Sequence, residues 1–247
     1  FGNFNHSDFK LNNSDILNPN QKQLFGYANN YGYGNASFLQ ALNDSWSVKG
    51  GLSYNYNENN ILFGNSPVDE VEKGTHSKLV FENTLSDRVE LKFGVEHFQS
   101  SYEASRLDSL LKQQTIAFNT PITTGFAEAE IYASKYFVTR AGVRTEYNGL
   151  MEKLSVDPRV SIAYKPFTHG QFSLAYGQFR QVAQNEFLRV NQNLEEEKAE
   201  HFILNYQVIN NQRTFRAELY HKRYSNLVKF MNGNPEQLTN AGNGYAQ

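Results

Sequence analysis

The chain repeats a pattern in which every second residue is apolar. The clearest example is the stretch of residues 88–98. Its apolar positions are Val89, Leu91, Phe93 and Val95, and its charged positions are Arg88, Glu90, Lys92 and Glu96. Successive side chains of a β-strand point to opposite faces of the sheet, so this period of two predicts a strand with one apolar and one ionic face.

The same alternation recurs in other parts of the chain, in residues 46–56, 160–164, 172–176 and 202–208. Each predicted strand is about 10 to 13 residues long. That is longer than the ~5 to 6 residues usual in soluble proteins and close to the ~9 to 11 that cross a bilayer at a tilt. The pattern predicts an all-β protein of roughly 11 or 12 strands.

The connections between these strands alternate between short and long. Tight turns are predicted at residues 43–45, 86–87, 134–135, 166–170 and 210–211, with loops of about 10 to 20 residues between them. Barrels of the bacterial outer membrane have short periplasmic turns and longer outer loops. The spacing therefore favours an antiparallel, up-and-down transmembrane β-barrel. Residues 1–35, which are rich in Asn, are expected to form a loop-rich start.

The composition agrees with this interpretation. The hydrophobic content is 39% and the mean hydropathy is −0.61. A barrel wall places apolar side chains only on alternate residues, so such averages are compatible with a membrane location. The formal net charge of −2 and the absence of a basic, aromatic-containing cluster argue against nucleic-acid binding.

Few features of the sequence indicate metal binding or catalysis. The chain has no Cys, and its six His are not spaced as metal ligands, so no metal and no cofactor is expected. Because motifs of catalytic loops such as Gly-x-Ser-x-Gly are also missing, the sequence does not predict an enzyme.

Charged residues follow the predicted hairpin around residue 134. The hairpin places Glu130 near Arg140, and a ladder of charges is expected to share one ionic, lumen-facing surface. Its members are Glu128, Glu130, Arg140, Arg144, Glu146 and Arg159. The ladder could contact a polar ligand or an occluding domain inside a lumen, or it could simply solvate the wall.

Four segments, in order, resemble TonB-dependent outer-membrane receptors of Bacteroidota-like bacteria. Residues 194–207 (LEEEKAEHFILNYQ) resemble the Leu-Lys-Pro-Glu-Lys segment of these receptors and the strand that follows it. Residues 140–148, 157–166 and 215–246 resemble further strands of the same family. The chain departs from the family at Glu196, where Pro is usual, and at Ile203 and Asn205, where Glu and Gly are frequent.

This resemblance implies a barrel of about 22 strands around an N-terminal plug that engages TonB. Residues 1–247 would then be an interior part of the barrel domain, without the plug or the C-terminal strand. The implied function is TonB-energised uptake of a large nutrient, such as an iron chelate, cobalamin or glycan, at the outer membrane. The implied partners are outer-membrane lipid, TonB through a plug domain absent from this chain, and a surface lipoprotein.

The resemblance also suggests where such a nutrient would bind. The candidate ligand-binding residues are Gln178, Arg180, Gln181, Gln184 and Asn185. Two other interpretations remain open at this point. One is a complete passive channel of about 12 strands, which would conduct ions. The other is a soluble all-β carbohydrate-binding module, in which the apolar strand faces would form a buried core.

Overall fold

A computed structural model describes residues 1–14, 22–64, 66–107, 113–231 and 233–247. Within these ranges the chain forms twelve β-strands and one short helix. They are β1 (Gly2–Ser14), β2 (Lys22–Ala41), β3 (Trp46–Phe63), β4 (Ser66–Ser86), β5 (Val89–Leu107), β6 (Gln113–Ser134), β7 (Phe137–Asn148), β8 (Lys153–Tyr164), β9 (Gly170–Gln181), α1 (Asn185–Leu188), β10 (Glu197–Asn210), β11 (Arg213–Met231) and β12 (Asn234–Ala246).

The strands form one sheet whose order is the order of the chain, from β1 to β12. The pairs with a defined register are antiparallel; β7 and β8, for example, pair from Phe137 opposite Tyr164 to Asn148 opposite Lys153. The predicted all-β, up-and-down architecture is confirmed, and the observed twelve strands agree with the predicted number. No helix in the described part of the chain has the length and apolar character needed to span a membrane.

Contacts within the chain define two compact units, which are described separately. The first contains residues 1–38, 50–78 and 96–122, and the second contains residues 39–49, 79–95 and 123–247. In the first unit, Tyr102 is buried with its ring 5.2 Å from that of Phe118, and its hydroxyl donates to Glu70 Oε1 at 3.0 Å. In the second unit, Leu188 and Leu194 are the largest fully buried apolar side chains among the described residues.

The predicted tight turns are confirmed, and local geometry explains two of them. Asn43 Oδ1 accepts hydrogen bonds from the backbone N–H groups of Ser45 and Trp46, both at 2.9 Å, as is typical of Asx turns. The turn between β10 and β11 consists of Asn211 and Gln212, whose φ angles are 47° and 64°. Positive φ at both positions is the geometry of a two-residue type I′ hairpin turn, which fits the twist of the flanking strands.

The prediction of a loop-rich start is wrong where the structure describes it. β1 pairs with β2 from Gly2 opposite Gly34 to Ser14 opposite Lys22, although residues 15–21 lie outside the described residues. Asn is depleted in strands, so local propensity favours loop here. The continuous pairing with β2 overrides that propensity.

The prediction of long loops is also wrong for most connections. β3 ends at Phe63 and β4 begins at Ser66, while β3 to β6 are 18 to 22 residues long. Residues for which the sequence predicts loops instead continue the strands, because backbone pairing satisfies their N–H and C=O groups. The connection between β9 and β10 is long, as predicted, and the connection between β5 and β6 includes residues 108–112, outside the described part.

The sheet of the second unit has one face with exposed apolar side chains. Directly paired residues on β8 to β11 form a row across four strands, composed of Ile162, Leu174, Leu204 and Leu219. The last three are 54%, 44% and 71% exposed. Soluble proteins rarely leave such a contiguous apolar surface in water. The opposite face carries the charged residues described next.

Candidate functional site

The charge ladder is centred on Arg140, at the beginning of β7. Arg140 Nε donates to Glu130 Oε2 at 2.8 Å and lies 3.5 Å from Glu128 Oε1. Tyr132, also on β6, donates its hydroxyl to Glu130 Oε1 at 2.5 Å. The short hairpin between β6 and β7 brings these groups together, so the predicted proximity of Glu130 and Arg140 is confirmed.

A second group of the ladder lies further along the same two strands. Arg144 Nη2 donates to Thr124 Oγ1 at 3.0 Å and to Glu146 Oε2 at 3.2 Å. Thr124 is buried and itself donates to Glu146 Oε2 at 3.3 Å. The three side chains form a closed polar cluster. Its hydrogen bonds hold the guanidinium of Arg144 against the wall.

Arg159 of β8 lies in a gap between two glycines. It pairs with Gly142 on one side and with Gly177 on the other. Its guanidinium carbon is 4.6 Å from the centre of the Phe179 ring, a cation–π distance. A Cβ at position 177 would lie only 3.1 Å from that ring. The glycine therefore leaves the space in which Arg159 and Phe179 stack.

Lys49 and Lys92 extend the charged surface, although sequence reasoning did not include them in the ladder. Lys49 Nζ is 2.7 Å and Lys92 Nζ 2.9 Å from the carboxylate of Glu82, so the carboxylate bridges two cations. Glu82 and Lys92 line a cavity of about 500 Å³ together with Glu128, Glu130 and Arg140. The signal was present in the sequence, since Lys49 and Lys92 occupy polar positions of alternating strands.

The five predicted ligand-binding residues do not form one group. Strand alternation puts Gln178 on the face opposite Arg159, because Arg159 pairs with Gly177. Gln178 Nε2 donates to Tyr176 Oη at 2.9 Å and to Glu200 Oε1 at 3.2 Å.

The other four residues occupy the end of β9 and the start of α1. Arg180 Nε donates to Asp157 Oδ1 at 2.8 Å, and Asp157 is buried. Gln181 is the last residue of β9, Gln184 precedes α1, and Asn185 is its first residue. Gln181 and Gln184 are exposed, so they are open to solvent at this end of the sheet.

The connection between β9 and β10, here called the β9–β10 segment (residues 182–196), was not predicted as an ordered element. Ala183, Leu188 and Leu194 within it are buried, with Leu188 fully inaccessible. Glu196 is also buried and accepts a hydrogen bond from Asn148 Nδ2 at 3.0 Å. The segment thus has a small core of its own. Its apolar residues do not alternate, so the strand pattern gave no signal for it.

Glu195 connects the β9–β10 segment to the surrounding strands. Its carboxylate is 2.5 Å from Lys153 Nζ and accepts from Asn226 Nδ2 at 3.2 Å. Its backbone N–H donates to Asn240 Oδ1 at 2.7 Å, and its C=O accepts from Asn240 Nδ2 at 3.0 Å. The hydrogen-bonded ion pair with Lys153 lowers the pKa of Glu195 below its usual value. One residue therefore bridges β8, β11 and β12.

Within residues 1–14, 22–64, 66–107, 113–231 and 233–247, no three or more His, Cys, Asp or Glu side chains cluster closely enough to hold a metal ion.

Comparison with known proteins identifies one family model over the whole chain. The model is described as "TonB dependent receptor-like, beta-barrel" and matches residues 1–247. No curated protein sequence matches the chain significantly.

Solved structures show the same fold at low sequence identity. The copper transporter OprC has a TM-score of 0.69 and 11% identity over 97% of this chain and 47% of its own. The FrpB iron transporter from Neisseria meningitidis has a TM-score of 0.68 and 10% identity over 99% and 49%. The RagAB peptide transporter has a TM-score of 0.65 and 10% identity over 90% and 33%. The chain thus spans less than half the length of each of these structures.

Proposed function

Since the chain belongs to the TonB-dependent receptor β-barrel family, we propose that it forms part of the barrel wall of a receptor that imports a large nutrient with energy supplied through TonB. Membership of this family and location in the bacterial outer membrane agree with the sequence predictions. The family consists of receptors and transporters and not of enzymes.

The two-faced sheet is the observation that carries the proposal. The row of Ile162, Leu174, Leu204 and Leu219 gives one face the exposed apolar surface that lipid would cover. On the other face, strand pairing aligns Arg140 with Ser161 and Arg144 with Asp157. A wall with lipid on one side and a wet lumen on the other requires this division.

A soluble carbohydrate-binding module fits these observations poorly. Such a module would bury one face of each strand in a core, whereas Leu174 and Leu219 are 54% and 71% exposed. The hydrophobic effect then favours transfer of this face to lipid, at about 25 cal/mol for each Å² removed from water.

The nutrient is proposed as an iron chelate, cobalamin or glycan. Copper, iron and peptides are named for the structurally similar transporters, which share only the fold with this chain. The proposed ligand contacts lie at the end of β9 and the start of the β9–β10 segment, namely Arg180, Gln181, Gln184 and Asn185, whereas Gln178 lies on the face opposite the charge ladder. TonB, engaged through a plug domain, and a surface lipoprotein are the proposed protein partners.

Energised uptake can be separated from passive diffusion in intact cells. Cells that produce the receptor carrying this chain, and cells with its gene deleted, would receive labelled ferric catecholate, cyanocobalamin or neutral oligosaccharide. Accumulation is expected for at least one label, only in the receptor-producing cells, and should stop when a protonophore collapses the inner-membrane potential. Receptor-dependent accumulation that continues with the protonophore would indicate a passive channel. A lack of receptor-dependent accumulation for all three labels would also contradict the proposal.

A further inference from the structure

The first unit carries a surface of a different chemistry from the charge ladder. It consists of amide, hydroxyl and phenol side chains on one face of β1 to β3 and is called the amide–phenol face. Its residues are Asn3, Asn5, Ser7, Tyr27, Asn29, Tyr31, Tyr33, Asn57 and Asn59. Pairing of β1 with β2 aligns Asn3 with Tyr33, Asn5 with Tyr31 and Ser7 with Asn29. Amide and phenol groups therefore sit side by side across the strands.

Asn29 is the centre of the amide–phenol face. Its Nδ2 donates to Asn57 Oδ1 at 2.7 Å and to Asn59 Oδ1 at 2.8 Å. Tyr27 Oη also donates to Asn59 Oδ1, at 2.9 Å. These bonds fix the two amides with their oxygens directed at Asn29. In the described part of the chain, the Nδ2 groups of Asn57 and Asn59 donate no hydrogen bond to protein, so they remain available as donors.

Asp8, Lys10 and Glu58 of the same strands lie on the other face, whereas Lys49 of β3 shares the face of Asn57 but lies outside this surface, in the second unit. Alternation along β1 puts Asp8 and Lys10 opposite Ala28 and Gly26, on the face away from Ser7. Glu58 of β3 accepts from Asn30 Nδ2 at 3.1 Å, and Asn30 pairs with His6 on that other face. The amide–phenol face therefore has no ionised group among its residues, although all three strands contain charges.

A neutral, hydroxyl-rich ligand matches this chemistry. A sugar hydroxyl both donates and accepts hydrogen bonds, as an amide does, and several fixed amides can therefore bind neighbouring hydroxyls. The rings of Tyr31 and Tyr33 are half-buried and offer apolar area at low entropic cost for the C–H faces of a pyranose. An anionic chelate would find no cation among these residues, and desolvating its charge there would be costly.

We propose that the amide–phenol face binds a neutral glycan, which makes an uncharged oligosaccharide the nutrient of the receptor. This inference rests on the proposed function for its biological meaning, but binding itself is measured without transport. Asn29 of β2 is separated from Asn57 and Asn59 of the neighbouring strand β3 by about 4.8 Å in the hydrogen-bonding direction, which suits contacts to adjacent hydroxyls of one sugar.

The test uses the purified receptor carrying this chain, in detergent, on an array of neutral oligosaccharides and uronic-acid oligosaccharides. Saturable binding is expected for at least one neutral oligosaccharide, with weaker or no binding of its acidic counterpart. Asn29→Asp keeps the shape of the side chain but removes the donor that fixes the two neighbouring amides. It is expected to weaken binding of the selected oligosaccharide, measured by calorimetry, by about tenfold or more.

Asn210→Asp is the matched control, because Asn210 is exposed at the end of β10, outside the amide–phenol face. Its affinity for the same oligosaccharide should be within about twofold of that of the parent receptor. Tyr31→Ala is a second variant that leaves the hydrogen bonds of Asn29 intact and should also weaken binding. Heat-modifiable mobility on gels shows whether each variant is folded.

Three outcomes would overturn the inference. The first is an array without neutral glycan binding by the parent receptor. The second is glycan binding that is unchanged in both Asn29→Asp and Tyr31→Ala. The third is a loss of folding in both variants, which would assign the side chains of this face to contacts within the receptor. If glycan binding fails while protonophore-sensitive uptake of ferric catecholate or cyanocobalamin is observed, the proposed function stands and only this inference falls.

Discussion

The hydrogen bond between Asn148 and Glu196 offers a sharp test of how the β9–β10 segment is held. Asn148 is fully buried, and its Nδ2 donates to Glu196 Oε1 at 3.0 Å. Its Oδ1 accepts from the N–H groups of Leu150 at 3.0 Å and Met151 at 3.3 Å. Asn148→Asp keeps this acceptor for the turn between β7 and β8 but replaces the donor with a second carboxyl oxygen. The variant therefore removes the hydrogen bond to Glu196 and keeps those to the turn.

The expected cost follows from the geometry. A hydrogen bond to a charged group contributes roughly 1.5 to 3 kcal/mol, and a buried carboxyl group placed against another adds repulsion. We therefore expect Asn148→Asp to favour opening of the β9–β10 segment by about 2 kcal/mol or more, which corresponds to roughly a 30-fold increase in the open population.

Limited proteolysis measures this opening. Arg189 lies in the segment directly after α1, and trypsin cleavage there tracks the open population when opening and closing are faster than cleavage. Mass spectrometry of the purified receptor in detergent would follow the peptide that ends at Arg189. The expected rate in Asn148→Asp is roughly 30 times that of the parent. Asn210→Asp adds the same charge at an exposed position and should leave the rate unchanged.

A double variant separates the hydrogen bond from a general loss of packing. In Asn148→Asp with Glu196→Gln, the new amide of position 196 can donate to the new carboxylate of position 148, which restores one bond with exchanged roles. Cleavage should then return to within about threefold of the parent rate. A double variant as sensitive as Asn148→Asp, or a single variant cleaved at the parent rate, would refute the reasoning.

Three further outcomes are expected. Leu194→Ala should lower the free energy of unfolding in guanidinium by about 2 to 5 kcal/mol, because Leu194 is 1% exposed; a change below about 1 kcal/mol would contradict its place in a core. Lys153→Met should speed hydrogen exchange in residues 190–196 at neutral pH. Because Lys153 lowers the pKa of Glu195, the stabilisation by this ion pair is present above the ordinary carboxyl pKa and is lost as the pH falls through the lowered value. A difference in exchange rate between Lys153→Met and the parent that persists under strong acid would refute this expectation. Gly94→Ala should prevent formation of the heat-modifiable, folded species, because a Cβ there would lie 2.4 Å from a backbone oxygen. Gly34→Ala should fold normally, because a Cβ there would have no atom within 4 Å, and equal folding of both variants would contradict the expectation.

The strands were predictable where sequence chemistry follows the two faces of the sheet. In β5 the alternation of Val89 and Leu91 with Glu90 and Lys92 matches the apolar and polar faces of the sheet, so this strand can be predicted without knowledge of the fold. The contact of Arg140 with Glu130 was predictable for a similar reason, since a short hairpin fixes its own register.

The remaining features depend on contacts between distant parts of the chain. β1 is rich in Asn and becomes a strand through its pairing with β2, which no local propensity reports. Leu194 is buried because the β9–β10 segment is tied to Asn226 and Asn240 through Glu195, 31 and 45 residues away. The polarity of Gln178 and Arg180 was visible in the sequence, but their partners Glu200 and Asp157 were not.

The length of β3 to β6 has a practical consequence for work on living bacteria. A strand of 22 residues measures about 70 Å, whereas ~9 to 11 residues are sufficient to cross the hydrocarbon. We therefore expect the far end of the hairpin of β3 and β4 to project into the medium, where its paired backbone would remain hydrogen-bonded without help from lipid. A peptide epitope inserted after Gly64, which has a φ of 62° and open space around it, should be accessible to antibodies on intact cells. Surface staining with such an antibody would allow the receptor to be counted and followed in single cells.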